Sequence, residues 1–344
     1  MTDAGDADRS DDETTDVSKP GVQPPSGTQR LLHILGALLV GAVLPAVLVG
    51  AIVGQLGVSA LFVGVVWGAL GAKLGGTRRM VYLAPGIGVV AGLGAYTAYD
   101  WWWAALLAIV GVVAGAGFRF GWFASLLMAS YAATFVTPVA TVTSAVTFGA
   151  IVAIGTGYGI VIARRFGAPP VIDGDRYSGP VTAVIALAFG AVLGAAGSVG
   201  VALGWTEPYW VPERILILVI YVMLGNRERI KEKAVATALG AAAAVVVAII
   251  APPPWVLTML AVVALVLGIM QRAIYWRMYA LYTFALVVYL AAPGDVAFEA
   301  EERGFQILAG IALLIIGLAI LHPVGTRLAR RYPQPEMASR AASA

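Results

Sequence analysis

The chain has no cysteine among its 344 residues, only two histidines, and a charged fraction of 12%. Without cysteine there is no disulfide and no thiolate metal site. With His33 and His322 alone, a histidine-rich metal centre is excluded too. No G-x-x-x-x-G-K-[ST] run occurs, so the chain is not itself an ATP-driven pump of the P-loop kind. G-x-S-x-G and H-E-x-x-H are also missing, and no grouping that enzymatic chemistry needs is found. No enzyme activity, cofactor, metal or nucleic-acid partner is therefore expected. The shortage of charge has one more consequence: a soluble domain of this size needs far more charge to cover its surface.

What is present is apolar. Residues of the hydrophobic class make up 60% of the chain, and 41 positions are glycine. That composition belongs to membrane proteins, whose helices use small residues to let backbones approach closely. The net charge of +3 is unevenly spread. Residues 1–29 hold seven acids against Arg9 and Lys19, so the rest of the chain is strongly basic. This acidic, polar front is expected to be disordered, and it lacks the features of a signal peptide.

Twelve apolar runs follow one another. They are Leu31–Gly54, Val58–Ala72, Met80–Tyr99, Trp101–Gly117, Phe120–Thr137 and Val139–Ala163, then Val181–Gly204, Trp210–Gly225, Ala234–Ala251, Trp255–Met270, Ala273–Ala292 and Gly304–Leu321. The turns between them alternate in charge. Odd-numbered turns carry Asp100, Glu207, Asp295, Glu299, Glu301 and Glu302, with Arg303 as their one basic residue. Even-numbered turns carry Lys73, Arg78, Arg79, Arg119, Arg164, Arg165 and Arg176, then Arg227, Arg229, Lys231, Lys233 and Arg272. By the positive-inside rule the even turns and both termini are cytoplasmic, and the chain is a multi-pass protein of the plasma membrane.

The order of features also repeats. Residues 76–94 parallel 227–244, residues 100–117 parallel 253–270, and residues 118–131 parallel 271–284. The expected fold is thus an all-α polytopic membrane protein, with about twelve transmembrane helices in two parallel six-helix repeats. The segments are an acidic tail (1–29), a first repeat (30–166), a cytoplasmic linker (167–179), a second repeat (180–326) and a basic tail (327–344). The linker is too short to be a soluble domain.

The stretch 208–240 concentrates the candidate chemistry. Its apolar run from Val211 to Leu224 is 14 residues, about 21 Å of helix against a bilayer core of about 30 Å. Short or proline-interrupted spans point to transport sites. At 100° per residue, Trp210, Arg214, Ile217 and Tyr221 share a narrow arc with Glu213 at its edge. A guanidinium offers a planar two-bond fit to a carboxylate. Arg214 can therefore meet an anionic substrate at the outer mouth, with Glu213 pairing with it or exchanging protons. The alternative makes Tyr209 and Trp210 an aromatic belt, Glu213 a helix-terminus acid, and Arg214 a snorkelling side chain. Tyr275, Tyr279, Tyr282 and Tyr289 form a stripe that could line a path or simply pack, with Arg277 opposite as an interfacial anchor. A hydroxyl-rich zone around Pro138, from Ser125 to Thr147, reads as interhelical or self-directed bonding. Small-xxx-small pairs such as Gly64/Gly68 and Gly88/Gly92 read as packing, and the basic turns as topology signals in contact with anionic lipid.

The order P-Y-W-V-P, apolar run, R-x-R-x-K-x-K and A-T-A-L-G across 208–240 resembles the fusaric acid resistance protein-like (aromatic acid exporter) family of membrane transporters. Lys233, Thr237 and Gly240 fall on that pattern, with Arg272 and Tyr279 following more loosely. The resemblance spans 180–331. It implies secondary, proton-coupled efflux of aromatic or other organic carboxylates, and a distant plant relative conducts malate. A second resemblance is to a loop of the major facilitator superfamily: Gly68, Leu70, Lys73 and Gly75 match it, but Ala72 stands where that motif has Asp. The expected partners are a small anionic substrate, bound through Arg214, Glu213, Trp210, Tyr221, Tyr279 and Tyr282, membrane lipids, and a second copy in a homodimer. A passive organic-anion channel is the alternative to a carrier.

Overall fold

The computed structural model describes residues 44–165, 176–223, 228–250, 254–271, 274–291 and 296–331. The acidic front, His33, Arg227, Arg272 and the last residues of the chain lie outside them. Among the described residues there are twelve α-helices and no strand. They are α1 (Leu44–Val53), α2 (Gln55–Gly75), α3 (Thr77–Tyr96), α4 (Trp101–Ala116), α5 (Phe123–Thr134) and α6 (Val142–Arg165). The second set is α7 (Gly179–Ala202), α8 (Trp210–Met223), α9 (Glu228–Ile250), α10 (Pro254–Met270), α11 (Tyr275–Ala291) and α12 (Val296–Arg331). One helix thus answers to each apolar run of the sequence.

Six of these helices are long and apolar enough to cross a membrane: α2, α3, α4 with its following turn, α6, α7 and residues 302–328 of α12. Others fall short for visible reasons. The α5 helix keeps 12 residues because Gly121, at φ 70°, starts it late and the chain leaves helical geometry before Pro138. The α8 helix has 14 residues and carries Glu213 and Arg214 at its fourth and fifth positions. Positive-φ glycines punctuate the turns: Gly54, Gly76, Gly121 and Gly204. Asp100 caps α4 by accepting hydrogen bonds from the backbone N–H groups of Trp102 (2.7 Å) and Trp103 (3.0 Å).

The turns sort to two ends. At one, Tyr99 donates its hydroxyl to the Val136 carbonyl and Val139 N–H bonds the Ala95 carbonyl. Thr137 bonds Ser59 there, and Thr206 bonds Glu302. At the other, Arg79 bonds the Gly121 carbonyl and Tyr177 N–H bonds the Phe118 carbonyl. The first end carries Asp100, Glu207 and Glu302, and the second carries Arg79, Arg119 and Arg176. The acidic and basic turns are thereby segregated in space as they alternate in sequence.

Packing follows a rule as well. In the first set α2 and α3 both lie on α6, α5 lies between α3 and α4, and α1 leans on α2. In the second set α8 and α9 both lie on α12, and α11 lies between α9 and α10. The α7 helix lies on α12 and more lightly on α8; among the described residues, α1 and α6 of the first set do not repeat its contact with α12. The sets meet chiefly through α4 against α7, with α5 touching α8.

Candidate functional site

The crossing of α8 with α12 has a counterpart in the crossing of α2 with α6. In the first set, a Cβ placed on Gly155 of α6 would lie 2.9 Å from the Leu61 carbonyl oxygen and 3.2 Å from the Gly64 Cα. In the second set, a Cβ on Gly310 of α12 would lie 3.0 Å from both the Val211 carbonyl oxygen and the Arg214 Cβ. Leu61 answers to Val211, and Gly64 to Arg214. The first crossing is closed by glycines, Gly64 and Gly68 lying against the backbone of Val152 and Thr156. At the same place the second crossing holds a guanidinium.

Arg214 is buried, at 9% exposure, and so are Glu213 (5%) and Trp210 (4%). The Arg214 guanidinium carbon sits 4.7 Å from the Trp210 ring centre, as the four-residue spacing on one helix face requires. Its Nε is 3.0 Å from Glu213 Oε2, yet neither atom completes a hydrogen bond because the N–H is not aimed at the oxygen. A second cation, Arg303 of α12, lies over the same indole at 4.4 Å. Arg303 is 3% exposed and donates to Glu207 Oε2 at 2.7 Å, the oxygen that also accepts the Trp210 Nε1–H at 2.8 Å. One indole is thus flanked by two arginines, each with its own carboxylate. Each cation gains from the ring face, and the neighbouring acids offset the repulsion between them.

The surroundings are polar and ordered. Glu302 accepts from Thr206 N–H (2.9 Å) and from Gln306 Nε2 (2.9 Å), holding the turn before α8 to the start of α12. Gln306 is 1% exposed and its Oε1 has no partner. Lys233, near the start of α9, is buried within electrostatic reach of Arg214 and Glu213, and its Nζ lies 4.9 Å from the Tyr279 ring centre. The short α8 therefore lets a cation from the basic end approach the pair at the acidic end.

An aromatic floor ties this cluster to the first set. Tyr209 stacks on Trp210 (5.5 Å) and on Tyr99 (6.3 Å), and Phe135 lies 5.5 Å from Tyr209. Tyr99 holds a positive φ of 67°, a costly backbone conformation fixed by its ring contacts and by its bond to the Val136 carbonyl. Burial first, and the nearby Glu207 charge second, push the hydroxyls of Tyr99 and Tyr209 well above the ordinary tyrosine range.

The residues expected from sequence separate into groups. Arg214, Glu213 and Trp210 come together, all three buried, with Glu213 in the first turn of α8. Trp101 and Trp102, at 61% and 74% exposure, are the outward-facing aromatics instead. Tyr279 meets the cluster through Lys233, whereas Tyr282 turns to α10 and packs on Gly268. Tyr221 lies on α8, but its side chain is outside the described residues, as is that of Tyr289. Arg277 is exposed and stacks on Trp276. The hydroxyl zone bonds mostly within itself: Thr134 to the Ser130 carbonyl, Thr147 to the Thr143 carbonyl, and Thr141 to Ser144. Three residues were missed as site members: Glu207, Arg303 and Lys233. Arg303 did carry a signal, being the lone cation among the acidic turns.

Residues 195–317 match the model of the Fusaric acid resistance protein-like family. That interval contains α8 through α11 and every charged residue of the cluster. No curated protein and no solved structure gives a match. The long apolar helices and the family match indicate a multi-pass membrane protein, and the match suggests a transport role.

Proposed function

We propose that the chain is a secondary transporter of small organic anions, carboxylates foremost, acting in efflux at the plasma membrane. In this reading all twelve helices cross the bilayer as two parallel six-helix repeats (30–166 and 180–326), with both termini cytoplasmic. The packing pairs that the two sets share support the repeats, and the segregation of acidic from basic turns supports the orientation. The one observation that carries the functional reading is the buried Arg214, against Glu213 and over Trp210, with its Nε lacking a hydrogen bond. The pair with Glu213 balances the charge of the guanidinium but leaves its Nε–H without an acceptor, and a substrate carboxylate is a ligand whose geometry satisfies it.

The charges suggest how such a ligand moves. Three buried cations, Arg303, Arg214 and Lys233, descend from the acidic end toward the basic end, and Glu207, Glu213 and Glu302 balance them. An anion entering this neutral set displaces an internal carboxylate from its arginine. Glu207, the more exposed partner of its pair at 27% against 4%, is the one that can turn to water. Coupling to a proton gradient is part of this reading and is what the pH arm of the flux assay tests.

The test is flux in proteoliposomes with benzoate-type acids, with and without a pH gradient. The intact protein moves them faster when a gradient is imposed. Arg214→Ala lowers the rate at least about tenfold, and Arg214→Lys recovers only part, since an ammonium lacks the two-bond fork. Undiminished flux in both variants removes the proposal. Flux that follows the anion gradient alone, with no proton dependence, assigns a passive channel.

A further inference from the structure

A second cleft lies away from the charged cluster, where the two sets of helices meet near the basic end. It has a volume of about 140 Å³ and is lined by Phe118, Phe123, Phe189, Val192, Leu314 and Leu318, among others, with no polar atom in its wall. Gly317 forms its narrow side, against Val192. Leu318 is 43% exposed, so the cleft opens on the outer surface of the bundle between α7 and α12. An apolar void of this size does not hold water. Inside a bilayer, the molecule at such an opening is a hydrocarbon chain.

The rim of the cleft narrows the choice further. Phe118 is followed directly by Arg119, whose Nη1 reaches the first residue of α7, Gly179. The Phe118 ring is packed edge-on by Tyr177, and Arg176 precedes that tyrosine. Both arginines are exposed. An apolar interior below two cations at one end is the negative image of an anionic lipid, with tail and head group in that order. A water-soluble acid finds no polar partner inside the cleft, whereas a phospholipid leaves its charge at the rim.

We propose that this cleft is a binding site for one acyl chain of an anionic phospholipid of the leaflet on the basic side, with its phosphate held by Arg119 and Arg176. The lipid fills the seam between α7 and α12, both of the second set, and touches the first set through Phe118 and Phe123. This site stands apart from the arginine cluster and does not depend on what that cluster carries.

The test uses the full chain in vesicles of phosphatidylcholine containing a photoactivatable phosphatidylglycerol, with a photoactivatable phosphatidylcholine in a parallel arm. Crosslinked peptides are mapped by mass spectrometry. Phosphatidylglycerol labels the α7 and α12 peptides that line the cleft. Ala188→Trp, which fills the cleft, removes that labelling. Arg119→Gln and Arg176→Gln each weaken it about fivefold while leaving phosphatidylcholine labelling unchanged. Leu318→Trp fills the same space from its open side and serves if Ala188→Trp does not fold. Equal labelling by both lipids, labelling that survives the filled cleft, or competition by benzoate each overturns the assignment. Competition by benzoate would place the cleft on the transport path.

Discussion

The two sets of six helices share most of their packing pairs, with α2 on α5 in the first and α7 on α12 in the second as exceptions, and they differ in what they put at one crossing. Where α2 meets α6, glycine faces glycine and the backbones touch. Where α8 meets α12, Gly310 faces Arg214, and Glu213, Trp210, Arg303 and Glu207 fill the neighbourhood. A glycine seam gains dispersion and leaves no room for a ligand. A seam of buried ion pairs gains little net stability and is costly to disturb. The second crossing is therefore the one whose composition packing alone does not explain, and it lies inside the segment that matches the family.

The comparison can be broken hardest at Arg214. Arg214→Ala leaves Glu213 buried without its cation and is expected to cost about 3–5 kcal/mol in thermal unfolding. Replacing both members, Glu213→Gln with Arg214→Gln, removes the stranded charge and returns most of that stability. Unfolding that is unchanged by Arg214→Ala would contradict the buried pair.

Glu207→Gln comes next. It weakens a charge-assisted bond to Arg303 by about 1.5–3 kcal/mol, and it removes the internal carboxylate that competes with substrate. Initial-rate flux should show a lower half-saturation concentration, by about tenfold. An unaltered half-saturation denies Glu207 its competing role.

On the glycine side, Gly64→Ala drives a methyl into the Val152 carbonyl and Gly155. It is expected to cost about 1–3 kcal/mol, while flux per folded molecule stays at the level of the unmodified protein. Loss of flux at full stability would place the first crossing on the path too.

The smallest effect is expected at the aromatic floor. Tyr99→Phe deletes the bond to the Val136 carbonyl, worth about 0.5–1.5 kcal/mol. Because the Tyr99 and Tyr209 hydroxyls are raised in the folded state, they are neutral in both states below pH about 10, and the unfolded chain ionises first above it. Their stability contribution is full below that pH and fades as pH rises toward the folded values. Tyr209→Phe should flatten this alkaline loss, followed through tyrosinate absorbance, and an unchanged slope would refute it.

Much of this was legible in the sequence because two signals are local. Apolar run length and the sign of the turns gave one helix for each run, and the 100° rule put Arg214 over Trp210. Glycine and proline chemistry moved the ends: α5 starts at Phe123 rather than Phe120 because of Gly121, and it stops at Thr134 ahead of Pro138. The partners of the site were not legible in the same way. Arg303 and Glu207 are 96 residues apart in the chain, and nothing in a period of 3.6 joins them. Lys233 reads in sequence as one more cation of a basic turn, and only the shortness of α8 brings it near Glu213. Tyr282 shares a face with Tyr279 yet packs on Gly268, since a stripe wide enough to span four tyrosines meets two different neighbours.

The central claim is that anions pass the charged crossing and not the glycine one. Its most direct measurement is the flux of a radiolabelled benzoate-type acid through vesicles of equal folded-protein content, comparing the Glu213→Gln/Arg214→Gln double variant with Gly64→Ala. The account predicts a silent double variant that melts near the unmodified protein, beside an active Gly64→Ala that melts lower. Retained flux in the double variant, with loss in Gly64→Ala, would contradict it.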